Sequence, residues 1–128
     1  MDTLPVTLVL AGAAAIYLVL ISFPIANRRR ATQLSAGDGG DEKFNRLIRA
    51  QANFAEYTPL AIIVIGLIEM NGFAQIFVCS LAAAFAVGRL LHLVGMVGPV
   101  LIARALGMVL TFGVLLVGGS ALVWHSFF

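Results

Sequence analysis

Residues 41–70 read DEKFNRLIRAQANFAEYTPLAIIVIGLIEM, and the two halves of this stretch differ in character. The first half is rich in polar residues, and four of them form what we call the polar stripe: Arg46, Arg49, Asn53 and Glu56. In a helix these positions share an arc of about 80° along roughly 15 Å, while the second half is almost entirely apolar. The stretch therefore predicts a helix whose stripe runs from a membrane surface into the bilayer.

The composition of the whole chain supports a membrane location. Its 128 residues are 61% hydrophobic and 11% charged, and the mean hydropathy is +1.03. Soluble domains contain about 25% charged residues, and a domain of this size buries only about two-thirds of its surface. We therefore expect an integral membrane protein and exclude a soluble enzyme. Eight Lys and Arg against six Asp and Glu give no extended basic surface for nucleic acid.

Three further apolar segments complete a predicted all-α, integral membrane four-helix bundle that forms a single domain over residues 1–128. The glycine-rich sequence Gly37-Asp38-Gly39-Gly40 separates the first two helices, and Asp41 is the expected N-cap of the second. We expect helices over residues 5–26, 41–70, 73–96 and 100–124.

The distribution of basic residues predicts the orientation. The 27–43 connection carries Arg28, Arg29, Arg30 and Lys43, whereas the 70–73 turn and both termini carry no Lys or Arg. The positive-inside rule therefore places the 27–43 and 96–100 connections in the cytoplasm and both termini on the other side.

Three more ionisable residues lie in the apolar helices. Arg89 and His92 are one turn apart in the third helix, and Arg104 is at the start of the fourth, at the same depth as the polar stripe. Two interpretations of Arg89 stay open, because its side chain can reach the membrane interface or serve a buried site. His92 has no His or Cys at ligand spacing, so we expect no metal.

The stripe and Arg104 together predict a positive field at one end of the bundle. Such a field suits a small anion with carboxylates, and it favours the thiolate form of a thiol bound there. The alternative is a structural stripe in which an arginine neutralises Glu56 and the charges hold helices together. Buried ion pairs rarely stabilise a protein more than apolar packing does, which weighs against that alternative.

The segment Glu42 to Leu60 resembles the signature of the MAPEG family, the membrane-associated proteins in eicosanoid and glutathione metabolism. The shared pattern is an acidic residue, an arginine four positions later, and then Asn-x-x-Glu. The Gly-Asp-Gly-Gly sequence and residues 69–72 are similar to a bacterial branch of the family. The resemblance implies a homotrimer that binds glutathione between neighbouring subunits near the cytosolic face.

The same resemblance assigns roles to residues of this chain. It implies that Arg104 is the catalytic residue that stabilises the glutathione thiolate. The residues that it implies at the glutathione site are Arg49, Gln51, Asn53, Glu56, Tyr57, Arg89 and His92. It also implies one arginine among Arg28, Arg29 and Arg30, and we choose Arg29. Positions 92 and 96 are tyrosines in leukotriene-forming members, so His92 and Met96 argue against an eicosanoid substrate.

The implied function is a glutathione transferase, with possible peroxidase activity, in the bacterial inner membrane. Its partners would be glutathione, an apolar electrophile or lipid hydroperoxide, membrane lipid and further copies of the chain. One alternative is a catalytically silent, lipid-binding or scaffold member of the family. Another is a small multidrug transporter, but such transporters carry an essential glutamate in the first helix, and residues 5–26 contain no acidic residue. The identity of the electrophile stays open.

The orientation is tested by cysteine labelling. In a chain with Cys79→Ala, cysteines introduced at Ser35 and Ser126 should differ in access to a membrane-impermeant reagent. We expect Ser126→Cys to be labelled from outside and Ser35→Cys only after the membrane is opened. Labelling of position 35 from outside would reverse the predicted topology.

Overall fold

The computed structural model describes residues 4–128, and within this range every regular element is an α-helix. Each of the four helices is long and apolar enough to cross a membrane, in agreement with the predicted all-α architecture. The helices are α1 (Pro5–Thr32), α2 (Glu42–Met70), α3 (Gln75–Val97) and α4 (Leu101–Phe127).

The first and last helices extend beyond their predicted ends. Helix α1 continues past residue 26 to Thr32, and α4 continues past residue 124 to Phe127. The predicted ends followed the apolar run, but arginine is a good helix former and is favoured at a helix C-terminus. Arg29 and Arg30 form part of the last turn of α1. The residue after the helix, Gln33, is its C-cap and has a left-handed conformation with φ 55°.

Asp41 caps the start of α2, as the sequence predicts. Its carboxylate accepts hydrogen bonds from the backbone N–H groups of Lys43 and Phe44 at 2.9 and 3.0 Å. The guanidinium of Arg28 also donates to this carboxylate. The Phe44 amide and the Arg28 charge hold the pKa of the Asp41 carboxyl below its ordinary value. One aspartate thus joins the end of α1 to the beginning of α2.

A second carboxylate joins the same two helices at the opposite end of the bundle. Glu69, in the last turn of α2, accepts hydrogen bonds from the backbone N–H of Val6 at 3.0 Å and of Thr7 at 2.8 Å. The Thr7 hydroxyl donates to it at 2.6 Å. The N-terminus of α1 is therefore capped by another helix, where its free N–H groups favour a negative charge.

At Gly95 and Gly107, helices α3 and α4 approach each other too closely to leave room for a Cβ atom. A Cβ atom on Gly95 would lie 2.2 Å from the backbone nitrogen of Arg104. A Cβ atom on Gly107 would lie 2.6 Å from both the carbonyl oxygen of Gly88 and the backbone nitrogen of His92. Small residues permit such contacts in membrane bundles, and here they hold the start of α4 against the end of α3.

The apolar core fills the half of the bundle that lies toward Glu69. Its fully buried members come from α2 and α3 and include Ile65, Ile68, Val78 and Phe85, and α4 contributes the buried Val114. Many large apolar side chains point outward instead, as expected for helices surrounded by lipid or by further protein chains. On α1 these are Leu8, Val9, Ile16, Val19, Leu20 and Phe23.

We expect Gly107→Ala to destabilise the protein by about 1–3 kcal/mol, because the new methyl group would meet backbone atoms of α3 that cannot rotate away. Gly113→Ala is the matched control in the same helix, since its Cβ would meet nothing within 4 Å. The measurement is thermal unfolding in detergent. Equal melting temperatures for the two variants would contradict the close approach of α3 and α4.

Candidate functional site

A polar cavity opens between α2, α3 and α4, at the end of the bundle where the 33–41 loop lies. It has a volume of about 120 Å³. The N-terminal half of α2, the C-terminal half of α3 and the first turn of α4 form its walls. Its lining residues are Arg49, Ala52, Asn53, Glu56, His92, Met96 and Arg104.

The cavity brings together five of the nine residues predicted at the site. Arg49, Asn53 and Glu56 share one face of α2, as their spacing predicts. The glycine contacts described above bring Arg104 to the same place, because they hold Arg104 beside Gly95 and Gly107 beside His92. The roles of these residues toward a ligand stay predictions.

The three charged residues of the cavity have no ionic partner among residues 4–128. The ion pairs in this range are Arg28–Asp41 and Arg46–Glu42, the latter at 3.0 Å. Glu56 therefore forms no ion pair with an arginine of the described chain. The charge-paired stripe of the alternative interpretation is not present within one chain. Two cations and one anion stay available to a ligand.

Arg46 departs from the other members of the polar stripe. Its guanidinium pairs with Glu42 one turn earlier in the same helix, and the residue does not line the cavity. An exposed pair of this kind contributes little to stability. The part of the stripe that lines the cavity is thus its deeper part, from Arg49 to Glu56.

Arg89 lies inside the bundle and does not reach the membrane interface. Only 4% of the residue is exposed. Its Nη2 donates to Asn53 Oδ1 at 2.8 Å and contacts His92 Nδ1 at 3.4 Å, and its Nη1 donates to Thr111 Oγ1 at 3.4 Å. The guanidinium also stands over the Phe54 ring, 5.8 Å from its centroid. The snorkelling interpretation of Arg89 is therefore wrong for this structure.

Arg89 also borders a second, apolar cavity of about 180 Å³ between α1, α2 and α3. Tyr17 and Phe54 line this cavity together with small and aliphatic side chains of α1 and α3. Arg89 thus lies between this apolar cavity and two residues of the polar cavity, Asn53 and His92.

Three further residues predicted at the site do not line the polar cavity. Gln51 points toward α1, where its side-chain nitrogen donates to Ser22 Oγ at 3.2 Å. Tyr57 packs edge-on against Phe112, with 5.6 Å between ring centroids. Arg29 belongs to α1, which contributes no wall to the cavity. Gln51 differs in direction because it is two residues, or about 200° of helix, from Asn53.

Sequence reasoning missed Thr111, whose hydroxyl is fully buried and links Arg89 to the α4 backbone. The available signal was a hydroxyl residue in an otherwise apolar helix, one turn after Gly107. It also missed the capping role of Glu69, because the pairing of distant helix ends leaves no local pattern. Within residues 4–128, no group of His, Cys, Asp or Glu side chains is arranged to hold a metal ion.

These features define a class of protein: an all-helical chain with four potential membrane spans and a charged cavity at one end. A sequence model described as the MAPEG family matches residues 7–124, and the chain belongs to this family. It is similar to the inner membrane protein YecN of Escherichia coli K12, and to the YecN protein of an E. coli O6:H1 strain. Each is 31% identical over 115 residues, which cover 90% of this chain and 88% of the relative.

We expect Asn53→Ala to destabilise the protein by roughly 1–3 kcal/mol or more, because it removes the nearest acceptor of a buried cation. Gln51→Ala is the matched control, since it removes an amide on the same helix that bonds only a neutral hydroxyl. That loss should cost about 0.5–1.5 kcal/mol. Both values are measured as the free energy of unfolding in detergent. A larger loss for Gln51→Ala would contradict the central position of Arg89.

Proposed function

We propose that this protein is a membrane-bound glutathione transferase, or glutathione peroxidase, of the bacterial inner membrane. The observation that carries the proposal is the cavity lined by Arg49, Glu56 and Arg104, whose charges have no partner in the described chain. A charged side chain within a membrane helix is costly and marks a functional site by default.

The charges of the cavity complement those of glutathione. At neutral pH this tripeptide carries two carboxylates and one ammonium group, and the cavity offers two guanidinium groups and one carboxylate. In the proposed arrangement Arg49 holds a carboxylate and Glu56 meets the ammonium group. Asn53 contributes a neutral amide to the same wall. Membership of the MAPEG family supports this ligand, because the resemblance described above implies glutathione binding.

Arg104 is the proposed activator of the glutathione thiol. A free thiol has a pKa near 8.5, so only a small fraction is thiolate at neutral pH. A guanidinium beside the sulfur favours the thiolate, because opposite charges at short distance attract. With an aryl halide the thiolate then forms a C–S bond, the carbon–halogen bond breaks, and the halide ion leaves. With a hydroperoxide it instead attacks the terminal oxygen and the O–O bond breaks; this yields the sulfenic form of glutathione and an alkoxide, which takes a proton from water to become the alcohol.

The dimensions of the site support binding between copies of the chain. Ligand pockets usually have volumes of roughly 300–1,000 Å³, and the polar cavity has about 120 Å³. A neighbouring subunit would supply the remaining walls, as in the homotrimer that the family resemblance implies. The outward apolar side chains of α1 and α4 are available for such contacts.

The proposed apolar substrate enters from the lipid. The apolar cavity lined by Tyr17 and Phe54 also borders Arg89, which donates a hydrogen bond to Asn53 of the polar cavity. The inner-membrane location is supported by the four apolar helices and by the similarity to the inner membrane protein YecN. The basic 27–43 connection would then direct the cavity toward cytosolic glutathione.

The proposal is tested by separating binding from thiol activation. We expect Arg49→Ala and Glu56→Ala to weaken glutathione binding by roughly 2–5 kcal/mol, because each leaves a charged group of the bound peptide without its partner. Arg104→Ala should retain most of the binding but lose the bound thiolate and the conjugation of an aryl halide. Calorimetric titration measures the binding, and ultraviolet absorbance against pH measures the thiolate.

Arg46→Ala is the matched control, because this arginine belongs to the same helix face but pairs with Glu42 outside the cavity. It should bind and react as the unmodified protein does. Absence of glutathione binding in the unmodified protein would reject the proposal. Binding without any thiolate or turnover would instead favour the silent scaffold, and substrate-dependent proton flux in liposomes would favour a transporter.

A further inference from the structure

The buried cation Arg89 is not explained by the proposed contacts with glutathione. Its guanidinium points at side chains of its own chain, and its Nε has no hydrogen-bond partner within residues 4–128. A cation held inside a membrane bundle without a carboxylate is costly. Two of the three polar partners of Arg89, Asn53 and His92, line the polar cavity. This position indicates a role for the buried guanidinium at that cavity.

Arginine can only donate hydrogen bonds, and this property fixes the state of its partners. His92 Nδ1 lies 3.4 Å from Arg89 Nη2, so Nδ1 must accept and carry no proton. The ring is then neutral, with its proton on Nε2. An imidazolium would direct an N–H group at a guanidinium N–H group, which is repulsive.

The same rule determines the orientation of the Asn53 amide. The atom that lies 2.8 Å from Arg89 Nη2 must be the acceptor Oδ1, and the amide nitrogen is therefore the free end. Neither that nitrogen nor His92 Nε2 makes a hydrogen bond within the described part of the chain. Both residues line the cavity.

We propose that Arg89 is a positioning residue that holds His92 as the neutral Nε2–H tautomer and Asn53 with its amide N–H groups free, so that both present donors to an anionic ligand in the cavity. The geometry of three contacts carries this assignment. Donors on this wall favour a ligand group that only accepts, such as a thiolate or a carboxylate, over a protonated thiol. This last step rests on the proposed function, whereas the tautomer does not.

The balance of charge around His92 favours the same neutral ring. Three of the four charges are cations, and each cation opposes a positive charge on the ring. They are Arg89 on α3, Arg104 on α4, and Arg49 together with the single anion Glu56 on α2. We therefore expect the neutral ring to persist on the acid side of neutrality.

The test is nitrogen NMR of the full chain in phospholipid nanodiscs, without glutathione. The chain has two histidines, so His125→Asn leaves His92 as the single imidazole signal. We expect one species, protonated on Nε2 and unprotonated on Nδ1, from pH 5 to pH 8. A proton on Nδ1, or an ordinary titration to imidazolium within this range, would overturn the proposal.

Two variants test whether Arg89 is the cause of the Nε2–H tautomer of His92. Arg89→Met should replace the single tautomer by a mixture that gains a proton as the pH falls. Thr111→Val removes a partner of Arg89 that does not line the cavity, and it should keep the Nε2–H tautomer. An unchanged spectrum in Arg89→Met would overturn the proposal, and the parent spectrum decides the tautomer even where that variant does not fold.

Added glutathione separates this inference from the proposed function. A shift of the Nε2 signal on titration supports the donor role of His92. The expected tautomer without any response to glutathione would leave the positioning by Arg89 in place and reject glutathione as the ligand.

Discussion

The contact of α3 with α4 is the constraint on which the site depends. Gly88, Gly95 and Gly107 let the two backbones meet, with no room for a Cβ at the tightest points. The first turn of α4 therefore lies beside the last turns of α3, and Arg104 comes next to His92. The same approach lets Thr111 reach Arg89 across the interface. With larger residues at these positions the helices would separate, and the polar cavity would lose one of its three walls.

Arg89 connects this contact to the rest of the molecule. Its guanidinium joins Asn53 of α2 and Thr111 of α4 to α3, so one side chain links the three helices around the cavity. A cation in this position stabilises the bundle less than apolar packing would, because its desolvation is expensive. Its contribution is to orient its partners. Because a guanidinium is planar and only donates hydrogen bonds, it fixes which atoms of Asn53 and His92 remain free.

The two ends of the helix pair α1–α2 are organised differently. At the loop end, Asp41 caps its own helix and accepts from Arg28 of α1. At the other end, Glu69 serves as the missing cap of α1. Because α1 has few buried side chains, these two carboxylates are important for its attachment. Most of its surface remains available to lipid or to other copies of the chain.

The sequence by itself determined the helical class, the four spans, the Asp41 cap and the shared face of Arg49, Asn53 and Glu56. All of these follow from local rules: apolar length, capping chemistry and a period of 3.6 residues. The helix ends at residues 32 and 127 did not follow, because the end of an apolar run is not the end of a helix.

Only the tertiary structure decided how the helices meet. It left Gln51, Tyr57 and Arg29 away from the cavity, buried Arg89 instead of letting it reach the interface, and paired Glu69 with the start of α1. The physical reason is that side-chain partners across helices depend on interhelical distance and rotation, which no period within one helix encodes. The polar partners of Arg89 come from α2, α3 and α4, and packing through Gly88 and Gly107 brings Thr111 of α4 within hydrogen-bond distance.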